Sequence, residues 1–322
     1  YYGLQHAVVT TSDGGICCPE DKFEEVLKNF GAGSEAHIAV RASYPYAFVD
    51  CITIASAMKS NSDIKVHLDL SKSKAKSDNE KFKDCTNLAS IEFSTLDSDI
   101  MYNDFEGCTG LKSITIPANI TGIEGWAFYN CTGLEEVTFL GNISKANRPF
   151  EDCTKLSKVN FPEGLTGIPD DICHKLTALT SIVIPASVTE IGNAAFKGTG
   201  LTSVELPSGL KVIDGEAFYE CKGLTSVEIP AGVTRIGEHA FAYTNLASAT
   251  INAVDIVLAN PFFCCTALTD VYYAGTMDDW NKLKDKVSPN EDEVSHKAVE
   301  LGFTSAPLTT ATIHCSDGDI TP

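Results

Sequence analysis

The sequence predicts an α/β solenoid, in which similar coils stack on one another and share a parallel β-sheet on their concave face. It does so because one segment recurs every 22 or 23 residues, with alternating apolar residues at its start and an Ala-Phe step near its end. The recurrence is clearest in two consecutive segments, LTSVELPSGLKVIDGEAFYECKG (201–223) and LTSVEIPAGVTRIGEHAFAYTN (224–245). One coil cannot bury its own apolar face, so the coils must stack to form a core.

Each copy is marked by a leucine, and this spacing lies within the range of leucine-rich repeats. With a partial first copy, VHLDL, the array covers residues 64–277 in about ten turns. The marker leucines are Leu88, Leu111, Leu134, Leu156, Leu179, Leu201, Leu224, Leu246 and Leu268.

A strand opens each copy. In the copy that begins at Leu201, Val204 and Leu206 follow at strand spacing and are predicted to point inward, while Ser203 and Glu205 point outward. A proline follows the strand in many copies and ends the hydrogen-bonded ladder, because proline has no backbone donor. The convex side is predicted to consist of loops and short helical segments.

The phenylalanine of each copy is predicted to join an aromatic column in the core. Burial of large apolar side chains, worth about 1.5–3 kcal/mol each, is then the main stabilising contribution. The phenylalanines of this column are Phe82, Phe105, Phe128, Phe150, Phe196, Phe218, Phe241 and Phe262.

Half of the twelve cysteines follow the repeat. They stand three residues before a marker leucine and are predicted to be buried, reduced and structural. Gly198 and Tyr243 are expected at this place in two shorter copies. The cysteines of the column are Cys85, Cys108, Cys131, Cys153, Cys221 and Cys265. A disulfide remains an alternative for the others, which are Cys17, Cys18, Cys51, Cys173, Cys264 and Cys315.

An open solenoid needs caps at its ends. Residues 1–63 are predicted to form an α/β N-terminal capping region, with helices in PEDKFEEVLKNF and YAFVDCITIASAMKS around the strand AHIAV. Residues 278–322 are predicted to form a small C-terminal cap and tail, with a helix in MDDWNKLKDKV and an edge strand in ATIHC.

The motif x-I-P-x-x-V-x-x-I-G-x-x-A-F-x-x-C-x-x-L, read from residues 180–224 and their neighbours, resembles the BspA-like leucine-rich repeats, also called the Treponema pallidum type. The resemblance covers residues 64–277. It implies an exported or surface-displayed bacterial protein, often of host-associated bacteria, that takes part in adhesion. The family assigns no universal binding residues, so none is transferred to this chain.

Composition and motifs exclude several classes of function. The formal net charge of −19 argues against nucleic acids and anionic membrane surfaces as partners, and no apolar run is long enough to span a membrane. The chain has no recognisable catalytic motif, and its seven histidines have no paired spacing, so we predict no enzyme activity, no cofactor and no metal. Because the first residue is not Met and the opening residues lack the basic-then-apolar layout of a signal peptide, we expect a processed or truncated start.

The remaining candidate for function is the surface, which leads us to predict a non-enzymatic, secreted or cell-surface scaffold. It would be a bacterial adhesin that binds host matrix proteins or bacterial surface proteins; the alternative is a carbohydrate-binding module of a nutrient-capture system. The candidate partner-binding residues are Trp126, Tyr129, Glu205, Glu228 and Tyr272. The first two belong to the predicted convex side and the other three to the outward face of the strands.

Overall fold

The fold is taken from a computed structural model, in which the chain divides into two compact units, Tyr1–Pro162 and Glu163–Pro322. Each unit contains stacked coils with parallel strands and little helix, which confirms the predicted solenoid. The boundaries predicted near residues 63 and 277 stay a prediction. The structure describes residues 9–10, 16–41, 48–72, 74–75, 79–94, 97, 99–285 and 310–321.

The first unit has two helices, α1 (Phe23–Leu27) and α2 (Cys51–Ser60), and a 3-10 turn at Glu20–Lys22. Its strands are β1 (Val9–Thr10), β2 (Ile16–Pro19), β3 (Glu35–Arg41), β4 (Phe48–Val49), β5 (Lys65–Asp69), β6 (Lys74–Ala75), β7 (Leu88–Glu92), β8 (Asp99–Ile100), β9 (Ser113–Ile116), β10 (Gly122–Ile123), β11 (Glu136–Phe139), β12 (Lys145–Ala146) and β13 (Lys158–Asn160). Strands β1, β2, β3, β5 and β7 form one sheet in that order, and only the β1–β2 pair within it is antiparallel.

Local sequence explains where the N-terminal helices begin and end. Helix α2 begins after Asp50, whose carboxylate accepts hydrogen bonds from the amides of Ile52 and Thr53 at 3.1 and 3.4 Å. Helix α1 is shorter than predicted, with only five helical residues. It still buries Phe23 on the predicted apolar face.

The second unit contains helix α3 (Met277–Asp285), and Thr310 is also helical. Its strands are β14 (Gly167–Ile168), β15 (Glu190–Ile191), β16 (Val212–Ile213), β17 (Ser226–Ile229), β18 (Arg235–Ile236), β19 (Ser248–Ile251), β20 (Val257–Leu258), β21 (Asp270–Tyr273), β22 (Thr312–Cys315) and β23 (Gly318–Ile320). The two-residue strands make one sheet, β14-β15-β16-β18-β20, and the longer strands make another, β17-β19-β21-β22-β23.

Two details of this unit differ from the sequence prediction. Residues 202–206 form no regular strand, and Val204 and Leu206 are half-buried, whereas Leu201 is fully buried as expected. The segment ATIHC is not at the sheet edge, since β22 lies between β21 and β23. It pairs in parallel with β21 and in antiparallel with β23.

The predicted aromatic column is confirmed within each unit. In the first unit, neighbouring rings from Phe82 to Phe150 stack with centroids 5.0–5.5 Å apart. In the second, neighbouring rings from Phe196 to Phe262 stack at 5.1–5.7 Å. All eight rings are buried.

The cysteine column is also confirmed, and each of its thiols is buried. Each thiol of this column from Cys108 onward donates a hydrogen bond, 3.0–3.1 Å long, to the carbonyl oxygen of a column phenylalanine about 25 residues earlier. Burial raises the pKa of Cys85 and of Cys221 to about 11, so both stay protonated at neutral pH. None of the cysteines whose side chains the structure describes forms a disulfide; Cys17 is not among them.

The prediction for the two shorter copies is wrong. Thr199 and Thr244, not Gly198 and Tyr243, take the place of the cysteine. Each threonine hydroxyl donates to the phenylalanine carbonyl three residues earlier, at 2.9 and 2.8 Å, and each is buried, whereas Tyr243 is exposed. The deleted residue therefore lies after the column position, because one residue stands between each threonine and the next marker leucine, whereas two stand between a column cysteine and its leucine.

Each column phenylalanine is flanked, two residues before and two residues after, by a residue with positive φ. Cys173 replaces the phenylalanine in one copy and is flanked in the same way. The residues at the earlier of these two places are Glu80, Asn103, Trp126, Arg148, Asp171, Ala194, Glu216, His239 and Asn260.

Helix α3 lies within the segment MDDWNKLKDKV that the sequence predicted to be helical. Trp280 and Leu283 are buried, and Trp280 contacts the ring of Tyr273 edge to face at 5.2 Å. The last two residues of that segment lie outside the described residues. In the described part of the chain, no helix has the length and apolar character required to cross a bilayer.

Candidate functional site

The outward face of the longer strands in the second unit carries one continuous row of side chains. Strand register places Glu228, Thr250, Tyr272 and His314 side by side on β17, β19, β21 and β22. The neighbouring positions alternate inward, because successive side chains of a strand point to opposite faces. Val271 is accordingly fully buried, whereas Tyr272 is 47% exposed.

Tyr272 is held in a fixed place by its neighbour. Its ring stacks on the imidazole of His314, with centroids 4.7 Å apart and planes 14° from parallel. Nε2 of that imidazole lies 3.0 Å from a carboxylate oxygen of Asp270, and Nδ1 lies 3.1 Å from one of Asp319. The hydrogen bond with Asp270 and the charge of Asp319 raise the pKa of His314 above its ordinary value.

The acidic candidates lie in the same unit. Glu228 is exposed, and its carboxylate accepts a hydrogen bond from the side-chain amide of Asn252 at 2.8 Å. Glu205, also exposed, belongs to the preceding coil, where no regular strand forms. Because the row already holds a tyrosine, these carboxylates give the face a mixture of aromatic and acidic groups.

Trp126 and Tyr129 lie in the first unit, on the loop around Phe128. Trp126 adopts φ of 57°, and its indole is 47% exposed, which confirms the exposure predicted from its variable place in the repeat. The indole N–H donates a hydrogen bond to Glu151 in the next coil at 3.1 Å. Tyr129 is half-buried, and a hydrogen bond to Asp152 raises the pKa of its phenol.

The five candidates thus fall into two groups, one in each unit. Two further tyrosines, Tyr219 and Tyr243, follow the Ala-Phe step in the second unit, as Tyr129 does in the first. Their ring centroids lie 5.2 Å apart, and Phe263 contacts Tyr243 edge to face at 5.7 Å. Phe263 was missed, although aligning the phenylalanine columns of the two copies places it beside these tyrosines.

Sequence analysis also missed a cluster in the first unit, where Glu35, His37 and His67 come together on β3 and β5. Their spacing of 30 residues does not match the period of the array. Aligning EAHIAV with KVHLDL as strands, by their alternating apolar residues, was the signal that could have found it.

A small hollow in the first unit offers little room for a substrate. It is lined by Leu70, Lys81, Phe82, Phe105 and other side chains, and its volume is about 20 Å³. This is roughly the space of one water molecule. The features that remain for molecular recognition in the described residues are the outward surfaces.

Stacked coils with open, outward-facing rows define a repeat protein of the leucine-rich class. The chain belongs to the family described as BspA type leucine-rich repeat region. That family matches in six copies over residues 75–200 and 189–283, which together cover more than half of the chain. Leucine-rich repeat proteins are typically non-enzymatic scaffolds that bind proteins.

Solved structures that are similar to this chain come from several bacteria. A leucine-rich repeat protein of Bacteroides ovatus is 19% identical, with 74% of this chain and 68% of that chain covered and a TM-score of 0.43. The Treponema pallidum leucine-rich repeat protein is 18% identical, with 90% of this chain and 97% of that chain covered and a TM-score of 0.38. A leucine-rich cell surface protein of Faecalibacterium prausnitzii is 16% identical, with 88% of this chain and 97% of that chain covered and a TM-score of 0.36. A comparison with curated proteins finds no similar sequence.

Proposed function

We propose that this protein is a non-enzymatic extracellular scaffold, a bacterial surface adhesin that binds host matrix proteins or bacterial surface proteins. The observation that carries the proposal is the row Glu228–Thr250–Tyr272–His314, in which an exposed, immobilised tyrosine stands among carboxylates. Tyrosine is enriched at the centres of protein interfaces, because it buries a large area at a small entropic cost.

The charge of the face indicates the kind of partner. Glu228 and Asp270 lie on this face of the second unit, Glu205 is exposed in the preceding coil, and the whole chain carries a net charge of −19. A surface of this sign attracts basic segments and repels acidic ones, mainly through the rate of association. The proposed partner is therefore a protein that presents a basic or polar segment.

The proposal is tested with the full chain immobilised and a panel of matrix proteins and bacterial surface proteins passed over it. We expect at least one partner to bind with a Kd well below millimolar, and binding to weaken as salt rises. Replacing Tyr272 with Ala should weaken this binding about tenfold or more, equivalent to about 1.4 kcal/mol.

Thr250→Ala provides the matched control. Thr250 is the next residue in the same row and lacks a large contact area, so this change should leave affinity within about threefold. Absence of any protein partner across the panel, or equal effects of the two changes, would contradict the proposal.

Carbohydrate binding is the second candidate, because the exposed indole of Trp126 offers a flat aromatic platform held in place by Glu151. A glycan array separates the two functions. Glycan binding that is lost in Trp126→Ala or Tyr272→Ala, without any protein partner, would favour a nutrient-capture module.

Location outside the cytoplasm is part of the same proposal and is supported by membership of the BspA-type family. Limited proteolysis of intact producing cells tests it. Digestion of the protein on unbroken cells is the expected result, whereas protection until lysis would count against surface display.

A further inference from the structure

Two histidines and a glutamate meet on the outward face of the sheet in the first unit. Strands β3 and β5 are parallel neighbours, and their register places Glu35 opposite Lys65 and His37 opposite His67. Residues 36 and 66, between them, point into the core and are fully buried. Alternation therefore directs all four polar side chains to the same face.

The three potential ligands are close enough to share one ion. The imidazole rings of His37 and His67 are stacked, with centroids 4.2 Å apart and planes 4° from parallel. Nε2 of His67 lies 3.9 Å from a carboxylate oxygen of Glu35, and one ligand atom from each of the three residues lies within 4.8 Å of the others. Ligand atoms around a tetrahedral zinc ion are roughly 3.3 Å apart, so rotation of the two exposed side chains suffices.

The surroundings of His67 match those of a histidine that binds a metal ion. Its Nδ1 lies 2.8 Å from the hydroxyl of Ser90 on β7, which fixes the orientation of the ring. Its Nε2 is shielded from solvent and has no hydrogen-bond partner among the residues that the structure describes. Buried polar atoms are rarely left in this state, and a second hydrogen bond that orients a ligating histidine is a regular feature of metal sites.

The electrostatics favour a cation at this point. When Nδ1–H donates to Ser90, the lone pair of Nε2 faces the Glu35 carboxylate 3.9 Å away, and the two repel each other. A cation placed between them would replace this repulsion with two attractive contacts.

We propose that Glu35, His37 and His67 form a binding site for a divalent transition-metal ion of the zinc class. Two imidazole nitrogens and one carboxylate oxygen suit Zn²⁺, Cu²⁺ or Ni²⁺ rather than Ca²⁺ or Mg²⁺, which prefer oxygen ligands. With three protein ligands the ion retains one open position, which water or an external ligand can fill. The site goes beyond the proposed function and does not depend on it.

Lys65 competes with the metal ion for the carboxylate of Glu35. Its ammonium group lies 3.1 Å from the other carboxylate oxygen of Glu35, so metal binding must displace it or share the carboxylate with it. Removing this ammonium should therefore strengthen metal binding, an effect that a purely structural cluster does not predict.

The test is calorimetric titration of Zn²⁺ into the metal-free full chain, with native mass spectrometry to give the stoichiometry. We expect one ion bound at micromolar Kd or tighter. His37→Gln and His67→Gln should each weaken binding at least tenfold, and Lys65→Met should tighten it severalfold. The spectrum of bound Co²⁺ should show a visible band that His37→Gln abolishes.

His239→Gln is the matched control, because His239 lies away from these strands in the second unit, and this change should leave binding unaltered. His37 is exposed, so replacing it keeps the fold intact even if replacing His67 does not; circular dichroism checks this. Lack of saturable binding, or equal binding by the wild type and His37→Gln, overturns the proposal. Unchanged affinity in Lys65→Met counts against a site that includes Glu35.

Discussion

The thiol of Cys131 donates a hydrogen bond to the carbonyl oxygen of Phe105, 3.0 Å away in the preceding coil. The same oxygen accepts the amide of Cys108 at 3.1 Å, so both of its lone pairs are used. The thiol therefore joins two coils at a buried point where water cannot replace it. The aromatic column and the cysteine column are linked to each other by this bond.

Removing one thiol of the column should destabilise the fold. We expect Cys131→Ala to lower the free energy of unfolding by about 1–3 kcal/mol, because one buried hydrogen bond and a small packed volume are lost. Cys131→Ser keeps a donor and should cost less. Urea-induced unfolding followed by circular dichroism measures the change.

Cys315→Ala is the control for this prediction. Cys315 is half-buried near the C-terminus, so its replacement should change stability by about 0.5 kcal/mol or less. Equal losses for Cys131→Ala and Cys315→Ala would mean that the column bond contributes nothing.

Replacing a phenylalanine of the aromatic column should destabilise the fold more than replacing a cysteine. Phe218 stacks between Phe196 and Phe241 at 5.3 and 5.1 Å. Truncating it to Ala should lower the free energy of unfolding by about 3–5 kcal/mol, because a large cavity opens in the core. Phe263 is a half-buried ring at the surface, so Phe263→Ala should lower the free energy of unfolding by less than half as much. Urea-induced unfolding measures both variants. A larger loss for Phe263→Ala would contradict the column as the main packing element.

The thiols should divide sharply in their reactivity. Burial raises the pKa of Cys51 to about 12 and also raises the pKa of Cys108, Cys221 and Cys265 in the column, and only the thiolate reacts with alkylating reagents. Among the cysteines described, alkylation of the native protein at pH 8 should be confined to the half-buried Cys264 and Cys315. Peptide mapping by mass spectrometry, with urea-unfolded protein as the control, measures it; fast native labelling of Cys108 or Cys221 would refute the buried column.

The contact between His314 and Asp270 should make the stability of strand β22 depend on pH, in a direction that the two pKa shifts define. The pKa of His314 is raised, so its stabilising contribution is complete below the ordinary value of about 6.5 and is lost as pH rises through the raised value. The pKa of Asp270 is lowered by the same contact, so its contribution is lost only as pH falls through that lowered value. Strand β22 should therefore be better protected from hydrogen exchange at pH 6 than at pH 8.

An NMR titration of the His314 ring gives the direct measurement. Asp270→Asn should bring the pKa of His314 down toward its ordinary value, whereas Asp278→Asn, an equal change in charge on exposed α3, should not. A titration curve that is identical in the wild type and Asp270→Asn would remove this contact as the cause.

Much of the fold could be predicted because the coils repeat the same contacts. Within each unit, the column phenylalanines of neighbouring copies stack on one another, so one correctly read copy predicts its neighbours. The place of Thr199 could not be found by counting back from Leu201, because the deletion lies between the two. Counting from Phe196 instead gives the observed alignment, since the backbone turn around the ring is the constant part.

The candidate site was less predictable, because it depends on contacts outside the period. His37 and His67 meet through a coil of 30 residues, which a search at 22 or 23 residues does not align. His314 reaches Tyr272 across a connection of about forty residues that has no counterpart elsewhere in the array. Tyr272 itself was predictable, since strand alternation alone places it outward.

The left-handed backbone around each ring has a consequence for how this chain can vary over evolutionary time. The place occupied by Trp126 holds acidic, basic, amide and aromatic residues in other coils. The fold therefore does not fix the charge or polarity of the side chain there. None of the residues there is Val, Ile or Thr, in keeping with the high cost of positive φ for β-branched side chains. New binding specificities can therefore arise by substitution at this place in one coil at a time. Backbone sterics limits these substitutions to residue types that tolerate positive φ.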